Sequence, residues 1–86
     1  MWKLFFTKLA IKSLKKLDKA IQKRIKTKLE FYISQENPLV FARKLIDSSL
    51  WEYRFRVWEY RIIFDVDENW KIIIIAVIWH RKNIYK

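Results

Sequence analysis

Residues 50–66, LWEYRFRVWEYRIIFDV, hold two consecutive runs of alternating apolar and polar side chains with room between them for nothing longer than a tight turn. That pattern confines the middle of the chain to a β-hairpin. In the first arm Tyr53, Phe55 and Val57 fall on one face, and Glu52, Arg54 and Arg56 on the other. With Trp58 and Glu59 as the turn, Val57 faces Tyr60, Phe55 faces Ile62, Tyr53 faces Phe64, and Arg56 comes directly opposite Arg61. Like charges facing each other across two strands are unfavourable unless something anionic lies between them. This pair is the first indication of a phosphate.

The hairpin belongs to a chain of 86 residues with a net charge of +10, expected to form a single domain over residues 1–86. The charge is uneven: residues 1–45 carry a balance of +9 and residues 46–86 a balance of +1. A basic half beside a near-neutral half suggests that one surface meets a polyanion. Cysteine is absent, which removes disulfides, thiolate metal sites and cysteine nucleophiles and fits a reducing compartment. His80 is the single histidine, so no metal centre is expected, and a serine-histidine-acid triad lacks any recognisable nucleophile context. The absence of glycine rules out a glycine-rich phosphate loop in its usual form. The longest apolar run, residues 72–79, is too short to cross a bilayer, and residues 1–6 do not resemble a cleaved signal. A soluble cytoplasmic protein without membrane contact or small-molecule cofactor is expected.

In chain order, residues 2–6 read as a first strand, ended by Thr7, a residue suited to capping a helix. Ala10, Leu14, Leu17, Ile21, Ile25, Leu29 and Ile33 then recur at helical spacing with lysines between them. Asp18, the one acid in a long basic run, marks a break and a second helix start, which favours a helical hairpin over one long helix. Asn37 before Pro38 ends the helical region. Pro38 can open a short helical turn carrying Phe41 and Leu45, followed by a loop at residues 47–49. After Val66, Asp67, Glu68 and Asn69 form a polar reversal in which Asn69 suits a left-handed position. The last strand, residues 70–79, is apolar on both faces from Ile72, as in a covered central strand. A three-residue loop sets Ile73, Ile75, Val77, Trp79 and Arg81 on the arginine face, whereas a four-residue loop sets Ala76, Ile78 and His80 there.

The side chains left to carry chemistry are Arg54, Arg56, Arg61, His80, Arg81 and Tyr85, with Lys82 in the basic tail. Guanidinium groups hold phosphate through paired hydrogen bonds and stay charged at any relevant pH. Trp58, Trp79 and Tyr85 offer rings on which unpaired bases can stack. Competing with this are ion pairs to Glu52, Glu59 and Asp65, and burial of the tryptophans in a small core.

YRFRVWEYRIIFDVD, followed by IIIIAVIWHRKNIY after a lysine-rich two-helix start and an NP..FARKL segment, resembles the RelE branch of the RelE/ParE toxin superfamily. The resemblance runs from Phe6 to Tyr85 and is most specific at Tyr60-Arg61 and at His80-Arg81 placed before Tyr85. It implies an α+β fold, β-α-α-β-β-β, with two amino-terminal helices on one face of a mainly antiparallel four-stranded sheet. It also implies a toxin of a type II toxin-antitoxin system that cleaves messenger RNA in the ribosomal A site and is held inactive by a cognate antitoxin. Arg61 would then stabilise the transition state, Arg81 would assist the phosphate or leaving oxygen, and Tyr85 would orient substrate or share in proton transfer. Arg54, Arg56, Trp58 and Lys82 would bind RNA, and Lys15, Lys16, Lys19, Lys23 and Lys26 would contact ribosomal RNA. His80 is the one side chain whose ordinary pKa suits a general base. Two alternatives stay open: a gyrase-poisoning toxin of the ParE branch, and a catalytically silent relative that binds RNA or antitoxin. Many relatives carry a Gly-Asp type turn where this chain has Trp58 and Glu59, which lack the residues favoured in tight hairpin turns.

Overall fold

Thr7 converts strand into helix. β1 (Lys3–Phe6) stops there, and the Thr7 hydroxyl accepts the Ala10 N–H at 3.1 Å, capping α1 (Lys8–Lys15). The computed structural model, which describes residues 2–44 and 53–80, breaks the helical region where Asp18 predicts it. α2 (Lys19–Ser34) begins after Asp18, whose side chain makes no capping hydrogen bond; the Gln22 amide instead donates back to the Leu17 carbonyl at 2.8 Å. Past α2, Asn37 Oδ1 accepts the Leu39 N–H and starts a 3₁₀ turn over Pro38–Phe41. Leu45 and the loop expected at 47–49 lie outside the described residues.

Five strands form one sheet in the order β1-β5-β4-β3-β2, one more than the four expected. The addition is β2 (Arg43–Lys44), which pairs antiparallel with β3 (Tyr53–Val57). β3 and β4 (Tyr60–Asp67) meet in the expected register, with Arg56 opposite Arg61, because a two-residue turn leaves the pairing no freedom. β5 (Ile72–His80) lies between β4 and the parallel β1. Ala10, Leu14, Ile25 and Leu29 from the helices pack on Phe55, Ile62, Phe64, Ile73 and Ile75 from the sheet. A stack of rings runs through this core: Tyr32 lies 4.3 Å from Phe55, and Phe55 lies 4.3 Å from Phe64. Burying each such side chain contributes about 1.5–3 kcal/mol. Burial also pushes the Tyr32 phenol above its ordinary pKa.

Where β1 ends, β5 would present unpaired backbone groups, and α1 covers them. The Thr7 hydroxyl donates to the Ala76 carbonyl at 2.8 Å, and the Ile78 N–H donates to Ser13 Oγ at 3.1 Å. Satisfied groups of this kind remove the penalty of a buried, unmade hydrogen bond. The same stretch of β5 carries an irregularity. Phe64 pairs with Ile75 but Ile63 pairs with Val77, so Ala76 is an extra residue that bulges from the ladder.

The bulge changes the loop-length expectations. Asp67 pairs with Ile72, leaving a four-residue loop over 68–71, in which Asp67 Oδ1 accepts the Trp70 N–H and Lys71, not Asn69, takes the left-handed conformation with φ 52°. That loop alone would turn Ile78 and His80 toward Arg61. The extra residue reverses the alternation, so Arg61 faces Trp79 and His80 faces Tyr60. Ile73 and Ile75 pack toward the helices, whereas Val77 joins Ile63 and Ala76 in a second small buried cluster.

Candidate nucleic-acid interface

The face of β3 opposite Phe55 and Val57 carries Arg54 and Arg56, and β4 adds Arg61 to it. β2 supplies a fourth guanidinium, since Arg43 stands directly opposite Arg54. With Phe41, these four arginines line a cleft of about 220 Å³. Two like-charged cross-strand pairs therefore border one cavity, an arrangement whose sign suits an anion. Guanidinium donors are planar and forked, which matches the paired oxygens of a phosphate better than a lysine does.

Arg43 escaped sequence reasoning because residues 43 and 44 are too few to show alternation. The signal that could have found it is the basic residue two positions after an aromatic, Phe41, just past the proline turn. Of the expected anionic partners, Glu59 Oε2 lies 3.2 Å from His80 Nε2, and Asp65 Oδ1 accepts the N–H of its neighbour Val66 at 2.9 Å. His80 also makes an edge-on contact with the Tyr60 ring, at 5.0 Å between centroids. The structure thus sets His80 on the opposite side of the sheet from Arg61, away from the role of base beside the arginines. Arg81, Lys82 and Tyr85 lie outside the described residues, as does Glu52.

The tryptophans divide. Trp2 is buried, its Nε1 donating to the Glu36 carbonyl at 3.2 Å, whereas Trp58, Trp70 and Trp79 are 58 %, 75 % and 44 % exposed. Trp58 stands out among them because its backbone has φ 60°, the left-handed region that glycine or asparagine normally fills. Holding a bulky residue there costs about 1–3 kcal/mol. Two interactions fix the turn: Arg56 Nε donates to the Trp58 carbonyl at 3.3 Å, and the Arg24 guanidinium of α2 sits 3.5 Å from the centre of the indole ring. Lys15, Lys19, Lys23 and Lys26 on the helices, and Lys16 just past the end of α1, are all exposed, in the layer behind the arginine-bearing sheet.

The profile of the ParE toxin family of type II toxin-antitoxin systems, parDE, matches residues 4–85. A comparison with curated protein sequences finds no match. Among solved structures, the chain is similar to one in the RelB-RelE antitoxin-toxin complex from Methanococcus jannaschii, with 33 % identity, TM-score 0.72 and 95 % of each chain covered. It is similar at 27 % identity and TM-score 0.71 to a chain of the archaeal RelE-RelB complex from Pyrococcus horikoshii OT3, covering 93 % of this chain and 94 % of that one. The fold also matches a chain of the RelBE2 toxin-antitoxin complex from Mycobacterium tuberculosis, at 22 % identity and TM-score 0.77, covering 93 % and 98 %. The chain belongs to the RelE/ParE superfamily of type II toxin-antitoxin toxins. No helix among the described residues is long and apolar enough to cross a membrane.

Proposed function

We propose that this toxin is a ribosome-dependent endoribonuclease that cleaves messenger RNA in the A site. The observation carrying this reading is the cleft in which Arg43 faces Arg54 and Arg56 faces Arg61. In the proposed reaction the 2′-hydroxyl loses its proton and attacks the adjacent phosphorus. The O2′–P bond forms, the P–O5′ bond breaks, and the 5′-oxygen takes up a proton, leaving a 2′,3′-cyclic phosphate and a 5′-hydroxyl. Negative charge grows on the non-bridging oxygens at the midpoint. Arg61 stabilises that charge, with Arg54, Arg56 and Arg43 holding the flanking phosphates; one preorganised donor contributes about 3 kcal/mol to such a barrier. Arg81 and Tyr85 act on the leaving oxygen and the substrate's orientation, and Lys82 assists in holding RNA. Lys15, Lys16, Lys19, Lys23 and Lys26 grip ribosomal RNA, and a cognate antitoxin holds the toxin inactive, as the toxin-antitoxin complexes of its structural relatives suggest.

The match to the ParE family profile favours a second reading, a gyrase-poisoning toxin. Primer extension on messenger RNA from cells expressing the chain separates the two. Cuts within codons are expected. Intact message together with double-strand DNA breaks would eliminate the ribonuclease.

A further inference from the structure

Arg56 borders a second cavity as well as the arginine cleft. An open groove of about 1070 Å³ runs between α2 and the β3–β4 turn; among the described residues its lining includes Lys23, Arg24, Lys28, Phe31, Arg56 and Trp58 but no acidic residue. Cationic side chains rim it, while Phe31 and Trp58 supply exposed rings. We propose that this groove is a subsite for single-stranded RNA flanking the cleavage point, with Trp58 stacking one unpaired base and Lys28 and Arg56 holding its phosphates. The proposal rests on the ribonuclease reading and extends it to the part of the message beyond the reacting phosphate.

Three features select this occupant. The first is continuity: Arg56 lines both cavities, so a strand whose phosphate sits among Arg54, Arg56 and Arg61 enters the groove without leaving the positive surface. The second is the Trp58 ring. Arg24 covers one face at 3.5 Å, and the residue remains 58 % exposed, so the other face is left for a base. A guanidinium on one side of an aromatic ring and a nucleobase on the other is a favourable sandwich, because every base has a π-face. The third is the backbone at φ 60°, a conformation whose strain an exposed indole does little to relieve. A glycine or asparagine would close the same turn with less strain. An acidic peptide would satisfy the charge, but it gives no reason for a flat ring held at a strained turn beside the phosphate cleft.

The test uses the purified full chain and a fluorescein-labelled, unstructured RNA nonamer, with affinity read by anisotropy at several salt concentrations. Trp58→Ala is expected to weaken binding about tenfold or more, and Trp58→Phe to restore most of it, since a ring survives. Trp70→Ala, which removes an exposed tryptophan outside the groove, leaves affinity unchanged. Lys28→Glu lowers affinity and flattens its salt dependence. Equal affinity for wild type and Trp58→Ala overturns the subsite. So does loss in Trp58→Ala of binding to poly-L-glutamate with RNA affinity unaltered, which would assign the groove to an acidic polypeptide. The two readings fail separately. Trp58-dependent RNA binding by a chain that leaves ribosome-bound message intact refutes the ribonuclease and keeps the subsite, whereas cleavage with Trp58-independent binding does the reverse.

Discussion

The two cationic surfaces of this protein differ in how their charges are held. In the helical layer, Lys15, Lys16, Lys19, Lys23 and Lys26 stand exposed on flexible stems, placed by the two helices and the break between them. On the sheet, Arg43, Arg54, Arg56 and Arg61 are set by strand register, each directly across from another arginine. The lysine surface is built to attract, loosely and at long range, and it is screened by salt. The arginine surface is built around a cleft of defined size and sign. Under the proposed function the difference separates binding from chemistry, and it can be attacked at each surface independently.

The largest effect is expected at the sheet. Arg61→Ala should lower ribosome-dependent cleavage about 10²–10³-fold, with the folded state retained. Arg61→Lys should fall between, keeping charge but losing the fork. Lost stability with undiminished cleavage would show that Arg61 is a structural residue. A smaller effect is expected on the helices. Changing Lys15, Lys16 and Lys19 to Glu should weaken ribosome binding and reduce its salt slope by about one for each phosphate no longer neutralised. Cleavage at saturating ribosomes should be unchanged; a fall in the saturated rate would erase the division of labour between the two faces.

The smallest effect lies in the core that joins the layers. The Tyr32 phenol is raised in the folded state, so as pH climbs past the ordinary value of about 10 the unfolded chain ionises first. Stability should therefore fall in that range, and Tyr32→Phe should remove the part of the fall owed to this ring in denaturation curves taken from pH 9 upward. Identical curves would mean that the phenol is not desolvated.

The hairpin and the helix pair were legible because local rules decide them. A two-residue turn admits one register, and Asp18 interrupts an otherwise continuous helical period where the break occurs. The far half of the candidate site was not legible. Which side chains of β5 face Arg61 depends on the bulge at Ala76, whose carbonyl is held by Thr7, 69 residues earlier. No loop-counting from 67 to 72 could reveal a hydrogen bond that distant. Arg43 was hidden for a related reason, because a two-residue strand has no period to detect and gains its face only by pairing with β3. Trp58 was legible as a turn residue that tight hairpins disfavour, but its positive φ was not, since a turn sequence does not declare its dihedral angles.

The bulge at Ala76 also sets how this protein can change by heredity. Loss of that single codon, with every other residue intact, would straighten β5 yet leave Trp79 opposite Arg61 and His80 opposite Tyr60, because the bulged residue has no partner of its own on β4. The bulge is slack in the strand, a place where the chain can lose a codon and still present the same side chains to the basin.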